Sequence, residues 1–330
     1  MIWLTWRQFR VQALAALGLL AALAIYLVII GLSSRGYYHG KIVGCTANTC
    51  SAVKQHFENV YKPQFTLIGG LLIVVPAVIG SFWGAPLVAR ELEAGTHRLV
   101  WNQSVTRAQW LVVKLGLIAL VSAGVAGLFS LLLTWSASDY DRLEGSRFIA
   151  TAFDARNLVP LGYAVFAFVL GTTIGLLIRR TIPAMALTLV LFTAVQVVMP
   201  LAVRPHLMPP LKSTVALSED TVERLHGFGV GPDGIHVFGY TKPGAWVIST
   251  SETVVTAAGG KVPSEAIESC MNGGPRQAIA CLSKLNLHFD VSYQPGSRYW
   301  PFQWIELGLF LVVSLALSGI CFWRIPRGVA

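Results

Sequence analysis

Residues 158–203 read LVPLGYAVFAFVLGTTIGLLI (158–178), RRTIP (179–183) and AMALTLVLFTAVQVVMPLAV (184–203). Each long run holds about 20 residues, the length an α-helix needs to cross the hydrocarbon core of a bilayer. Neither contains an Asp, Glu, Lys or Arg. A surface helix of a soluble domain would show a charged face at helical spacing. The stretch therefore reads as two membrane-spanning helices joined by a very short basic turn.

The same test applied outward gives four more spans, near residues 13–32, 67–83, 115–135 and 303–323. Glu306 is the one charged residue inside these windows and is expected near a helix end. The second window can continue to Ala89, with Pro76 inside it. Membrane helices tolerate such a break where neighbours satisfy the freed carbonyl. Composition agrees: only 12% of the 330 residues are charged and the mean hydropathy is +0.62. An ordinary soluble domain carries about 25% charged residues. A disordered chain is excluded too, because this one is too apolar.

Six spans place both termini on one side. That side holds residues 1–12, 84–114, 179–183 and 324–330, with ten basic residues against Glu91 and Glu93. The other side, with residues 33–66, 136–157 and 204–302, is nearly balanced. Positive residues gather on the cytoplasmic side, so the expectation is a multi-pass protein of the plasma (cytoplasmic) membrane with both termini in the cytoplasm. The net charge of +9 is thus a topology signal, and no nucleic-acid partner is expected. The N-terminal run is longer than a signal-peptide core and is expected to stay as the first span. Ile2, Trp3, Trp6, Phe9 and Arg10 before it read as a short helix in the membrane interface.

The outer loops carry four of the five cysteines. Cys45 and Cys50 form one local pair and Cys270 and Cys281 another, on the side where disulfides persist. Cys321 falls inside the sixth span as a packing residue. The loop of residues 204–302 is long enough for a small folded domain. Strands are expected at 236–238 and 245–250 around the turn Lys242-Pro243-Gly244. Leu287, Phe289, Val291 and Tyr293 alternate as a half-buried strand does. Helices are expected at 264–270, 275–285 and, in the first outer loop, 51–61. Asp139, Asp141, Arg142, Glu144, Arg147, Asp154 and Arg156 in the second outer loop read as a solvated charged face, and Asp139, Asp141 and Glu144 are the acidic cluster a cation would use. The fold class is an all-α polytopic membrane protein: six transmembrane helices, an N-terminal interfacial helix and a small α+β extracellular domain between helices five and six. The divisions are 1–203, 204–302 and 303–330.

The cytoplasmic loop after the second span reads Ala89-Arg90-Glu91-Leu92-Glu93-Ala94-Gly95-Thr96-His97-Arg98-Leu99-Val100-Trp101. Gly95 is a helix stop and Thr96 a helix start. Thr106 with Gln109 makes a capping box that launches the third span. A short helix with charges beside Leu99, Val100 and Trp101 serves either as a docking element for a cytoplasmic partner or as an interfacial helix resting on lipid.

The chain lacks the phosphate loop G-x-x-x-x-G-K-[ST], the zinc pattern H-E-x-x-H and the nucleophile elbow G-x-S-x-G. No catalytic residue, metal or cofactor is expected in it. No span has a central carboxylate of the kind used in ion-coupled transport. Gln196, Thr172, Thr173, Ser130, Thr134, Ser314 and Ser318 read as helix–helix hydrogen bonds or small-residue contacts. Gly80 with Gly84, and Gly171 with Gly175, have the spacing that lets helices approach closely.

The segment Glu91-Leu92-Glu93-Ala94-Gly95-Thr96, followed by Arg107, Trp110 and Lys114, resembles the first cytoplasmic loop of type-2 ABC transporter permeases. The layout of six spans with a large outer loop between the last two is similar. Met1-Ile2-Trp3-Leu4-Thr5-Trp6-Arg7-Gln8 and Tyr293-Gln294-Pro295-Gly296-Ser297-Arg298-Tyr299-Trp300-Pro301 look like actinobacterial members. The resemblance implies two permeases, the same or related chains, each binding a separate ABC ATPase subunit that supplies ATP and Mg. Glu91, Glu93, Gly95, Thr96, His97, Arg98, Leu99 and Trp101 would couple the permease to that subunit. Spans two and five would face the cargo path, bringing Phe82, Phe192, Gln196 and Met199 near a hydrophobic or amphipathic cargo (drug, antibiotic, peptide or lipid). A different reading is a membrane sensor or scaffold that binds an extracellular ligand through residues 204–302.

Overall fold

The structure is a computed structural model that describes residues 2–46, 49–95, 106–144, 147–222, 224–231, 234–271, 278 and 281–328. It divides into two compact units. The first comprises residues 1–144, 150–201 and 300–330 and is helical. The second comprises residues 145–149 and 202–299 and contains the strands.

Among the described residues, six helices are long and apolar enough to cross a membrane: Gly18–Ile42, Cys50–Glu93, Ala108–Ser136, Val159–Ile178, Thr181–His206 and Gly296–Ile325. Each contains most of one span expected from the sequence. Helix α1 runs unbroken over Ile2–Tyr37 and ends in a π-helical turn at Tyr38–Ile42. The expected interfacial helix is therefore no separate element: its backbone continues into the first span. Helix α2, Cys50–Val78, a π segment at Ile79–Gly84 and α3, Ala85–Glu93, form one continuous rod. The helix expected at 51–61 is the start of this rod rather than a loop helix. Pro63 and Pro76 both lie within α2.

Helix α4 covers Arg107–Ser136, and the short helices α5 and α6 cover Ser138–Glu144 and Ala150–Phe153. Helix α7, Val159–Ile178, is the most buried span. The reason is glycine. A Cβ placed on Gly171 would lie 2.1 Å from the Gly80 carbonyl oxygen, and one on Gly175 would lie 2.3 Å from that of Ala85. Reciprocally, a Cβ on Gly84 would lie 2.4 Å from the Phe168 oxygen. The two glycine pairs noted in the sequence face one another, so the rod and α7 meet backbone to backbone. Helix α8, Thr181–Val198, follows a turn in which Arg179 takes the left-handed conformation (φ +61°) and Arg180 is extended.

The last span is helix α11, Tyr299–Gly328. Gln303 is fully buried: its Oε1 accepts the N–H groups of Leu158 and Val159 at 3.0 Å each, and its Nε2 donates to the Phe153 carbonyl at 3.2 Å. Residues at a helix start leave N–H groups without partners in the helix, and here the sixth span supplies the acceptor for the fourth. One turn on, Glu306 accepts a hydrogen bond from the Tyr163 hydroxyl at 3.0 Å, with both side chains buried. Glu306 thus lies two turns from the N-terminal end of α11, near a helix end as expected, but buried. Thr172, Thr173 and Ser314 bond the carbonyls four residues back in their own helices, and the Thr173 hydroxyl also meets the Cys321 thiol of α11 at 3.3 Å.

The loop of residues 136–157 departs from the sequence expectation. Asp139, Asp154 and Arg156 are buried. Arg156 pairs with Asp141, Arg142 pairs with Asp139 at 3.1 Å, and Arg35 approaches Asp139 at 4.0 Å while lying over the Trp135 ring. These charges pair with one another, and Arg142 stays exposed. Two of the carboxylates a cation would have used, Asp139 and Asp141, are thus paired with arginines.

In the second unit, strands β1 (Leu211–Ala216), β6 (His288–Pro295) and β4 (Ala245–Val247) form one antiparallel sheet in the order β1-β6-β4. A second antiparallel sheet has the order β2-β3-β5, from Gly227–Gly231, Gly234–Phe238 and Ser251–Thr253. Phe289 and Val291 are buried while Asp290 between them is exposed, which is the period-two pattern of a one-faced strand. They pack with Ile235, Val237, Leu282 and Leu287. The turn at Gly244 has φ +68°, a conformation glycine adopts without strain. Short helices α9 (Glu219–Val222) and α10 (Ser264–Met271) complete the described part. Most of the helix expected at 275–285 lies outside the described residues. Cys270 is disulfide-bonded to Cys281 in this unit, and Cys45 to Cys50 in the first.

Candidate functional site

The base of the loop between the second and third spans is the most constrained polar region at that end of the bundle. Helix α3 ends at Glu93, and Gly95 is left-handed at φ +69°, the usual helix stop. The chain resumes at Thr106. Its hydroxyl accepts the Gln109 N–H at 3.2 Å, and Gln109 Oε1 accepts the Thr106 N–H at 3.4 Å, completing the capping box that starts α4. Thr96, His97, Arg98, Leu99 and Trp101 lie outside the described residues.

Two acids of α3 tie this base to other spans. Glu91 pairs with Lys114 of α4, which is 5% exposed and lies 4.5 Å from the centre of the Trp110 ring. A buried ammonium is costly unless paired, so the Glu91 carboxylate and the ring face together hold this charge. Glu93 Oε2 accepts two hydrogen bonds from Thr181, at 3.0 Å from its N–H and 2.7 Å from its hydroxyl. A carboxylate at a helix N-terminus meets both unpaired N–H groups and the positive end of the helix dipole. Glu93 is thus the cap of the fifth span, delivered from the end of the second. Sequence analysis selected both acids but found neither partner, because Lys114 and Thr181 lie 23 and 88 residues away.

The four residues expected near cargo are not on one surface. Phe192 is buried inside the bundle, with ring centres 6.0 Å from Tyr163 and 6.3 Å from Phe166. Met199 is also buried. Gln196 is half-buried, and neither atom of its amide has a hydrogen-bond partner among the described residues. Phe82 is exposed and rims an apolar cavity of about 570 Å³ among the first three spans.

A model of the family described as ABC-2 membrane transporter related matches residues 17–204, more than half of the chain. The chain belongs to that family. It is therefore an ABC-2 type permease, a multi-pass membrane subunit that associates with an ATPase subunit. The match contains the first five spans and the whole loop base. Comparison with curated proteins and with solved structures gave no match. The geometry at the loop base has a direct meaning for an ABC-2 permease. Glu91 and Glu93 tie the end of α3 to α4 through Lys114 and to α8 through Thr181.

Proposed function

We propose that this permease forms, with a second copy or a related chain, the translocation path of an ATP-driven exporter working by alternating access. The observation that carries the proposal is the tethering of one cytoplasmic loop base to spans two, three and five. A separate ATPase docks on the loop at Thr96, His97, Arg98, Leu99 and Trp101, with Glu91, Glu93 and Gly95 setting the geometry of its base. Two such ATPases, holding ATP and Mg, serve the pair of permeases. The start of α1 lies in the membrane interface beside them. Both termini are cytoplasmic, which places residues 204–302 outside the cell and the two disulfides on the oxidising side.

The cargo is hydrophobic or amphipathic. Phe82 offers an exposed aromatic face, and the unpartnered amide of Gln196 offers one polar group in an otherwise apolar span. Phe192 and Met199 support the path from behind.

The test is co-purification with the ATPase and measurement of its stimulated hydrolysis. Arg98→Ala and Trp101→Ala are expected to reduce both association and stimulation at least tenfold while the permease still folds. Unchanged association and unchanged stimulation would overturn the docking role.

A further inference from the structure

The apolar cavity at Phe82 is a groove in the side of the first unit. Ile79 and Phe129 form its floor and are almost fully buried, whereas Leu19, Leu71, Val78 and Phe82 stand open along its rim. Every lining side chain is apolar. Along the second span the lining runs from Leu71 to Trp83, about 18 Å at the helical rise. One leaflet of the hydrocarbon core is about 15 Å thick. The groove therefore has the length of a leaflet and, apart from the Trp83 indole N–H, the chemistry of its interior.

Two turns beyond Trp83, on the same side of the rod, Arg90 is exposed and has no ion pair among the described residues. The carboxylates nearest in sequence are committed elsewhere, Glu91 to Lys114 and Glu93 to Thr181. An exposed guanidinium below an apolar groove complements an anionic head on an apolar tail, since Arg pairs well with phosphate.

We infer that the groove is a lipid site: it holds one acyl chain of an anionic phospholipid of the cytoplasmic leaflet, with Arg90 at the phosphate. The inference rests on the orientation proposed above. It goes beyond that proposal by assigning a lipid that bridges spans one, two and three, with Phe82 at the rim the groove shares with the cargo path.

The full-length protein in phosphatidylcholine nanodiscs would be doped with phosphatidylglycerol or phosphatidylcholine bearing a diazirine on the acyl chain, irradiated, and its adducts mapped by mass spectrometry. Adducts are expected at residues 19–23 and 71–83 at least fivefold above those at Leu131 and Val190, which are exposed on other faces. Phosphatidylglycerol should label the groove at least threefold more than phosphatidylcholine. Arg90→Ala should erase that difference, and Val75→Trp, which fills the groove, should erase the excess of both lipids. Because Val75 also packs against the core, Val78→Trp on the open rim is the companion variant. Equal labelling of all faces, an excess that survives both tryptophans, or a charge preference that survives Arg90→Ala would each overturn the lipid site. A protein–protein adduct at the groove in place of lipid would also overturn it, by showing a second copy there. The labelling needs neither ATPase nor nucleotide. Orientation is read separately: Arg90→Cys should resist a membrane-impermeant maleimide in intact cells, and labelling from outside would overturn the orientation alone.

Discussion

Glu93 and Thr181 are 88 residues apart in sequence, yet the Glu93 carboxylate takes both the N–H and the hydroxyl of Thr181. The last acid of the second span therefore caps the first turn of the fifth. Glu93→Ala is expected to speed amide hydrogen exchange at Thr181 and the rest of that turn at least tenfold. Thr181→Val, which keeps the N–H donor, should have the smaller effect. Hydrogen-exchange mass spectrometry in nanodiscs reads both. Protection at 181–184 unchanged by Glu93→Ala would mean that the cap is not formed.

The glycine contact between the rod and α7 makes a sharper claim. Gly171→Ala puts a methyl 2.1 Å from a backbone oxygen that cannot swing aside, and overpacking of this kind costs about 3 kcal/mol. The control is Gly124→Ala in α4, where a Cβ meets nothing within 4 Å. Removing a mid-helix glycine there should be neutral or stabilising by roughly 0.5–1 kcal/mol. Thermal unfolding in detergent should lower the midpoint for Gly171→Ala and leave that for Gly124→Ala unchanged or slightly raised.

Gln303 serves two N–H groups and one carbonyl at once. Gln303→Leu has nearly the same volume but leaves all three without that partner. Each buried, unsatisfied group costs about 1–3 kcal/mol, so a loss of roughly 3 kcal/mol or more is expected. Tyr163→Phe, which removes one hydrogen bond to Glu306, should cost about 1–2 kcal/mol. Equal melting temperatures for the two variants would show that Gln303 is not the anchor described.

The disulfides predict a thiol count. Of five cysteines, Cys321 is the one free thiol. N-ethylmaleimide in denaturant should add one adduct without reductant and five with it. Replacing Cys270 and Cys281 by serine is expected to destabilise the second unit by about 2–4 kcal/mol, seen as faster proteolysis within residues 202–299.

The spans were legible because a bilayer imposes a length and a polarity that any sequence must show. Local devices were legible for a similar reason. Gly95 ends a helix, and Thr106 with Gln109 starts one, through atoms a few residues apart. What the sequence hid are pairings across the fold. Nothing near Gln303 announces Leu158, and nothing near Glu91 announces Lys114. The loop of residues 136–157 was misread for the same cause: its charges look solvated when counted along the chain, but Arg156 and Asp139 meet partners in the bundle and are buried. At the candidate site the residue types were visible, whereas the spans they bind were not.

The rod of Cys50–Glu93 has 44 residues, about 66 Å at the helical rise, more than twice the hydrocarbon thickness of ~30 Å. Its closest contact with α7, at Gly80 and Gly84, lies far from its midpoint. The arm toward Glu93 is roughly 15–20 Å and the arm toward Cys50 roughly 45–50 Å. The contact at Gly80 and Gly84 thus divides the rod into two unequal arms, a short one that carries the loop base and a long one that reaches the opposite side of the membrane.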